Sequence, residues 1–282
     1  VTAPVRSWLY VPADRPERVT KAFASDADAV ILDLEDAVAP DAKDRARRHV
    51  LETLASLASL PDRRRAYVRI NAPDSPHATA DLAALAGADP AGVRVPKCEE
   101  PEQLRRIADT LGTAVYPVLE SALGVENAYA LATAHPSVAG ISLGEADLSA
   151  DLRVTTSEAL AWPRSRVVVA ARAAGLPSPP QSVWTAVRDL DGLRADTENG
   201  RRAGFFGRSV IHPAQLPVVH EACRPDPDDV AWARSLVDTV RATGEAAWVD
   251  STGRFVDKAV VERALWLLAA DEDPNVKEGQ TS

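Results

Sequence analysis

Methionine is absent from the chain, and cysteine occurs only at Cys98 and Cys223. Two cysteines so far apart form neither a disulfide framework nor the paired spacing of a zinc site. A reduced, cytoplasmic setting is the simplest expectation. Long apolar runs are missing as well: none reaches the roughly 18 residues that read as a membrane span. The opening VTAPVRSWLYVPADRPERV does not read as a signal peptide. No long basic run occurs and the formal net charge is −9, which argues against nucleic acid as the main partner. An acidic protein can still bind small anions through a local arginine or metal. There is no GxGxxG after a strand, no Walker loop and no GxSxG elbow.

What the chain does have is alternation. Short apolar segments (SWLYVPA, DAVILDLED, RAYVRINA, GVRVPK, AVYPVLES, VAGISLGEADL, a weak LPSPPQSVW and GFFGRSVIHP) are separated by amphipathic stretches such as PDAKDRARRHVLETLASL and CEEPEQLRRIADTLG. Near-continuous apolar runs suit parallel strands buried on both faces. The count is roughly eight βα units, the number a closed (β/α)8 barrel needs. Pro177, Pro179 and Pro180 crowd the seventh strand and weaken it. After about residue 224 the rhythm stops. A long helix, a hairpin-like stretch and a last helix follow, carrying Trp248, Phe255, Val256, Val260, Leu265 and Leu267, and a neighbouring subunit is a good candidate to cover them. The expectation is an α/β TIM barrel over residues 1–223, with a C-terminal helical extension over 224–282 that packs at a subunit interface. The end DEDPNVKEGQTS reads as a loose terminus.

Several strands deliver a charged group at their C-terminal ends. Asp33, Glu35 and Asp36 crowd one end; Glu120 closes another; Glu145 and Asp147 follow a third; Arg69 stands at an equivalent place. Like charges so close together make sense beside a divalent cation, an arginine, or both. Glu120 and Asp147 are assigned as ligands of Mg2+, with Mn2+ as an alternative, because hard cations take carboxylate oxygens and neither His nor Cys clusters here. The competing reading is that each acid caps a helix or pairs with a lysine.

The planar fork of Arg69 suits a substrate carboxylate, and an internal ion pair with Glu35 or Asp36 is compatible with that role. Arg15, Arg18 and Lys21 can hold phosphates of a large cofactor or simply form a solvated basic helix face. Lys97 is a candidate Schiff-base lysine, but its flanking Pro96 and two glutamates favour an ordinary ion pair. Cys98 reads as buried. His212 either touches a ligand or serves in a core or helix cap, and the other histidines receive no role.

The motifs LYVPADRPERV, VILDLEDAV followed by Lys43 and Arg47, VRINA, PKCEEPEQL, VLESALGVENA, SLGEADLSADL, GFFGRSVIHPAQLPVV and GRFVD together resemble the citrate lyase β-subunit-like branch of the HpcH/HpaI aldolase/citrate lyase family, in the same order over nearly all of residues 5–265. The resemblance implies a trimeric or hexameric TIM barrel, Mg2+ on Glu120 and Asp147, and Arg69 on the carboxylate of a 2-keto acid. It implies that Glu35 and Asp36 support the arginine and the water beside the metal, and that Asp257 in the tail reaches a neighbouring subunit's site as acid/base. The expected activity is carbon–carbon lysis of a 3-hydroxyacyl-CoA thioester such as malyl-, citramalyl- or citryl-CoA. A malyl-CoA thioesterase or malate synthase-like activity, or a silent subunit of a citrate lyase complex working with an acyl carrier protein, is the alternative. Two departures stand out. PPQSVW lies where relatives often carry an aspartate, and Asp257 is followed by Lys258-Ala259, where a proline is common.

Overall fold

A computed structural model of the chain describes residues 4–58, 65–244, 247–250 and 253–271. All but the first residue of DEDPNVKEGQTS, and the first three residues of the chain, lie outside them. The main sheet has seven strands, all parallel: β1 (Ser7–Pro12), β2 (Ala29–Asp33), β3 (Arg65–Arg69), β4 (Gly92–Val95), β5 (Val115–Leu119), β6 (Ser142–Leu143) and β7 (Arg208–Val210). Their spatial order is β6-β5-β4-β3-β2-β1-β7. Sequential strands are therefore neighbours, and β7 pairs with β1.

The apolar runs are continuous because the two faces of each strand meet different partners. Leu9, Val11, Val30, Leu32, Val68, Val93 and Leu119 join helix residues such as Val50, Leu104 and Ile107 in the large core. The alternate residues Trp8, Ala29, Ile31 and Tyr67 form a second, inner cluster with Tyr10 and Tyr116 packed against it. A period of two thus sends one set of aliphatic residues to the helix side and the strand aromatics, with Ala29 and Ile31, to the inner side.

The expected eighth strand, GFFGRSVIHP, forms β7, but the expected seventh does not form as a strand. LPSPPQSVW contributes one parallel bridge, Gln181 to Arg208, and Ser182 Oγ donates to the Leu143 carbonyl on β6 at 2.7 Å. Prolines lack the N–H that a ladder requires, which limits this segment to a bridge and a hydroxyl bond. VAGISLGEADL is also shorter as a strand than expected: β6 stops at Leu143, and Glu145 and Asp147 lie in the first turn of the helix Glu145–Leu152. Acidic residues favour that position because the helix dipole is positive there. The helix Pro101–Leu111 starts on a proline and stops at Gly112, whose φ of 61° is left-handed.

The tail forms the helix Pro227–Thr243, a hairpin of β8 (Trp248–Val249) and β9 (Phe255–Val256), and the helix Lys258–Asp271. Much of its apolar content packs on itself. Val256, Ala264 and Leu267 are buried against Leu236 and Val237, with Trp248 and Val260 beside them. Phe255, Val249 and Leu265 remain exposed. The last helix also touches the main body, where Trp266 stands edge-on to Phe206 with ring centroids 5.8 Å apart.

A buried polar knot fixes the loop after β3. Asp81 is fully buried and accepts from Arg47 Nε at 2.7 Å, from the Asn71 N–H at 2.7 Å and from Asn71 Nδ2 at 2.6 Å. Asp81→Ala leaves Arg47 Nε and the Asn71 amide without their buried acceptor, while Arg47 keeps only the solvent-exposed Asp44 as a charge partner, so it should cost about 3 kcal/mol in urea unfolding. A loss below about 1 kcal/mol would show that the knot is solvated.

Candidate active site

Asp33 ends β2 and carries the turn that follows. Its Oδ1 accepts from the Glu35 N–H at 2.9 Å and its Oδ2 from the Ala37 N–H at 3.2 Å. Lys43 Nζ, buried from the next helix, donates to the carbonyls of Leu34 (2.6 Å) and Glu35 (2.8 Å). The turn bearing Glu35 and Asp36 is therefore tied from both sides.

Arg69 on β3 pairs in register with Asp33. Its Nε and Nη2 each donate to Asp33 at 2.7 Å, and Nη1 lies 2.9 Å from Glu35 Oε2. That last contact is charge attraction without hydrogen-bond alignment, since Glu35 Oε2 has no hydrogen-bond partner. The expected ion pair with Glu35 or Asp36 is thus centred on Asp33, a residue whose pairing the sequence reading missed. The matching depth of Asp33 and Arg69 on adjacent strands was the available signal. Below the guanidinium lies the ring of Tyr10, 4.9 Å from it. Burial works against the charge on Arg69, but Asp33 and Glu35 outweigh it and hold its pKa well above the usual arginine value.

Lys97 follows β4 with φ +49°, a left-handed conformation that is uncommon for a residue with a Cβ. This conformation accompanies two contacts. The backbone N–H donates to Glu120 Oε2 at 2.8 Å, and Nζ donates to Glu35 Oε1 at 2.6 Å, with Asp36 Oδ2 3.6 Å away. Burial opposes its charge, but Glu35 and Asp36 raise its pKa. A lysine held protonated is an ion-pair partner and a poor Schiff-base nucleophile. Beside it the buried Cys98 thiol is pushed up to about 12, first by burial, which makes it inert.

Glu120, 7% exposed, sits just past the end of β5. Burial, then Glu35, then Asp147 raise its pKa to about 7, against the opposing Lys97 N–H and Arg69. Glu35 is raised as well, by burial and by Asp36, against Arg69 and Lys97. Gly144 lies against Glu120, and a Cβ there would overlap its Cγ and Oε1.

No group of three or more His, Cys, Asp or Glu side chains converges on a metal position among the described residues. The acids expected from the sequence to hold a metal are Glu120 and Asp147. Glu120 is a buried carboxylate whose pKa is raised first by burial and then by Glu35 and Asp147, and Asp147 itself is exposed. Such a pair fits a hard divalent cation that fills its other positions with water or substrate.

The remaining candidates fall elsewhere. Arg15 follows β1 at the same edge of the sheet, exposed, with Asp14 3.5 Å away. Lys21 is exposed in the last turn of the helix Pro16–Phe23. His212 Nδ1 accepts from the Ala214 N–H, a capping role. Asp257 caps the last helix, accepting from the Val260 N–H at 3.1 Å.

Residues 6–213 match the HpcH/HpaI aldolase/citrate lyase family. The chain belongs to that family. It is 37% identical to a (3S)-malyl-CoA thioesterase of Cereibacter sphaeroides over 95% of each chain, and 36% identical to a citrate lyase subunit beta-like protein of Mycobacterium tuberculosis over 93% of each. Among solved structures it is similar to the protein CitE from Mycobacterium tuberculosis in complex with magnesium, acetoacetate and coenzyme A, with a TM-score of 0.80 and 34% identity over 96% of this chain and 99% of that one. The family reading made from the ordered motifs is therefore correct.

The raised pKa of Glu120 has a thermodynamic consequence. Its unfolded value is near 4.5 and its folded value about 7. Between them the folded state binds the extra proton, so metal-free stability should fall as pH rises through that window, by on the order of 3 kcal/mol in all. Urea unfolding in EDTA from about pH 5 to pH 8 should show this slope, and Glu120→Gln should flatten it. An equal slope in the variant would assign the effect to other groups.

Proposed function

We propose that this chain is a Mg2+-dependent carbon–carbon lyase acting on a 3-hydroxyacyl-CoA thioester of the malyl, citramalyl or citryl class. The observation that carries this reading is the joint presence, at one edge of the sheet, of the Glu120–Asp147 carboxylate pair and an arginine fixed by Asp33. Family membership and a relative holding magnesium, acetoacetate and coenzyme A support it.

Arg69 uses Nε and one Nη2 hydrogen on Asp33, leaving hydrogens on Nη1 and Nη2 for the carboxylate of the keto-acid half. Glu120 and Asp147 would hold Mg2+, which would supply Lewis acidity toward the oxygen that becomes the keto group. The carbinol hydroxyl gives its proton to a carboxylate of the cluster and its oxygen becomes the keto oxygen as the bond between the α-carbon and the carbinol carbon breaks; the electrons of that bond pass to the thioester as an enolate, and the α-carbon then takes a proton. Lys97 and Arg69 hold Glu35 in place beside the reacting groups, while Asp36 pairs with Lys97 at the rim. Arg15 and Lys21 are the basic groups proposed for the coenzyme phosphates.

The proton at the α-carbon is assigned to Asp257 of a neighbouring subunit. The helix it opens is seated by Trp266 on Phe206, just before β7 and away from the strand ends that carry Glu120. The exposed Phe255 and Leu265 suit a subunit interface. The same reading takes residues 1–223 as a (β/α)8 barrel with Gln181 at its seventh strand position, residues 224–282 as the interface extension, and the protein as a cytoplasmic trimer or hexamer.

A second reading has one specific support, the relative named as a (3S)-malyl-CoA thioesterase. It differs in the bond that is cleaved: water attacks the thioester carbonyl and coenzyme A leaves. Incubation with Mg2+ and malyl-, citramalyl- and citryl-CoA, with products read by mass spectrometry, separates the two. A 2-keto acid plus a shortened acyl-CoA is expected; free coenzyme A with the intact hydroxy acid would replace the lyase by the thioesterase. Full turnover in EDTA, or in Glu120→Ala or Asp147→Ala, would remove the metal assignment.

The shared site has its own test. Asp257→Ala and Glu120→Ala should each be inactive alone, and mixed oligomers should regain activity in sites that combine an intact Glu120 with a neighbour's intact Asp257. Verified subunit exchange without recovery would overturn the sharing.

A further inference from the structure

The described residues line a partly open cavity of about 400 Å3 at the opposite edge of the sheet from Glu120. Its position follows from chain order in a parallel sheet. Val5 precedes β1, Gly140 precedes β6, Pro180 precedes the Gln181 bridge and Phe206 precedes β7, and all four line it. Residues ahead of parallel strands lie at their N-terminal edge, whereas Glu35, Lys97 and Glu120 lie past the C-terminal ends.

One wall is aromatic, and Arg172 stands at the exposed rim. Trp8, Tyr67 and Tyr116 meet one another at centroid distances of 4.7, 5.9 and 5.5 Å. Trp266 and Ala269 close the cavity from the last helix. Among these apolar groups stands Arg94, 2% exposed. Its Nη2 donates to Ser142 Oγ at 2.5 Å, and its guanidinium lies over Trp8 at 5.4 Å. Its Nε has no hydrogen-bond partner, and among the described residues no carboxylate forms an ion pair with it. A buried guanidinium without a counter-charge is expensive. An arginine fork beside an apolar chamber of this size matches a small anionic ligand with an apolar body.

We propose that this cavity is a second ligand site, taking a small carboxylate with an aromatic or branched apolar body, its carboxylate on Arg94 and its body against the aromatic wall. None of Glu35, Lys97, Glu120 and Asp147 lines it, and the ring of Tyr10 contacts Arg94 and Arg69 alike, so the two sites are distinct. Because Trp266 and Ala269 form part of the wall, a bound ligand also holds the terminal helix in place.

The test uses the full chain with Mg2+, and phenylacetate and 4-methylpentanoate as probes, each compared with its neutral amide. Calorimetry should show at least one acid binding at least about tenfold more tightly than its amide, the margin expected for hydrogen bonds to a charged partner. Binding should persist in Glu120→Ala and in EDTA, and should weaken at least about tenfold in Ala269→Trp, which fills the chamber and leaves Arg94 intact. Hydrogen exchange in the helix Lys258–Asp271 should slow on binding. Arg94→Leu should abolish the preference for acid over amide; if that variant does not fold, the acid–amide comparison and Ala269→Trp still decide. The proposal is overturned if neither acid binds at about 10 mM, if amides bind equally well, or if binding is lost in Glu120→Ala and kept in Ala269→Trp.

Discussion

The paired hydrogen bonds from Arg69 to Asp33 are the contact on which the rest of the site depends. Asp33 is almost fully buried, and a carboxylate in that position needs a full set of donors. It takes two from Arg69 and two from the backbone of its own turn. The same four bonds that satisfy Asp33 therefore aim Glu35 back toward Arg69. Glu35 then holds Lys97 Nζ, and the Lys97 backbone N–H holds Glu120. Each link is a short bond to a charged group, so an error at Asp33 is carried by contact to Glu120. A point charge in place of the fork would satisfy only part of Asp33 and leave the turn less constrained.

The balance of charge explains why the cluster is poised rather than inert. Arg69 and Lys97 face Asp33, Glu35, Asp36 and Glu120, so carboxylates are in excess, and Asp147 adds one more nearby. Burial first, and like charge after it, push Glu35 and Glu120 upward even though cations touch the cluster. Self-contained structural ion pairs would show the opposite direction on their acids. The left-handed backbone at Lys97 belongs to the same account. A non-glycine residue there costs on the order of 1 kcal/mol or more, and it accompanies a backbone donor on Glu120 together with a side chain that reaches Glu35.

How far the sequence could be read depends on the range of the forces involved. Strands β1 to β5 and most helices were legible because burial on both faces and helical amphipathicity leave periodic marks in the residues themselves. The seventh strand was weak for a local reason, its prolines, and the structure forms only a bridge at Gln181. Glu120, Arg69 and the acids after β2 were legible as charges placed where apolar runs end. Their partners were less so. The pairing of Arg69 with Asp33 rather than Asp36 depends on register between strands 36 residues apart in the chain, and no local pattern encodes that. The placement of Asp147 in a helix turn was hidden because β6 is two residues long and merges with the helix in composition. The tail's apolar residues were visible, but their packing on one another requires a hairpin whose turn lies between β8 and β9.

Period-two geometry ties the two ends of the sheet together. Arg69 and Arg94 are direct partners across β3 and β4, so two guanidiniums project to the same inner side at the same depth. Tyr10 lies between them, 4.9 Å from one and 5.8 Å from the other. An aromatic face attracts cations from either side, which lets two like charges share one layer. On one side of that layer the charge of Arg69 is met by Asp33 and Glu35. On the other, Arg94 meets a hydroxyl, two rings and the aromatic chamber. The contrast is set by which strand ends carry acids: the C-terminal ends do, and the N-terminal ends carry Trp8, Tyr67 and Tyr116 instead. The inner face therefore divides into a carboxylate-rich half and an aromatic half, with one arginine assigned to each.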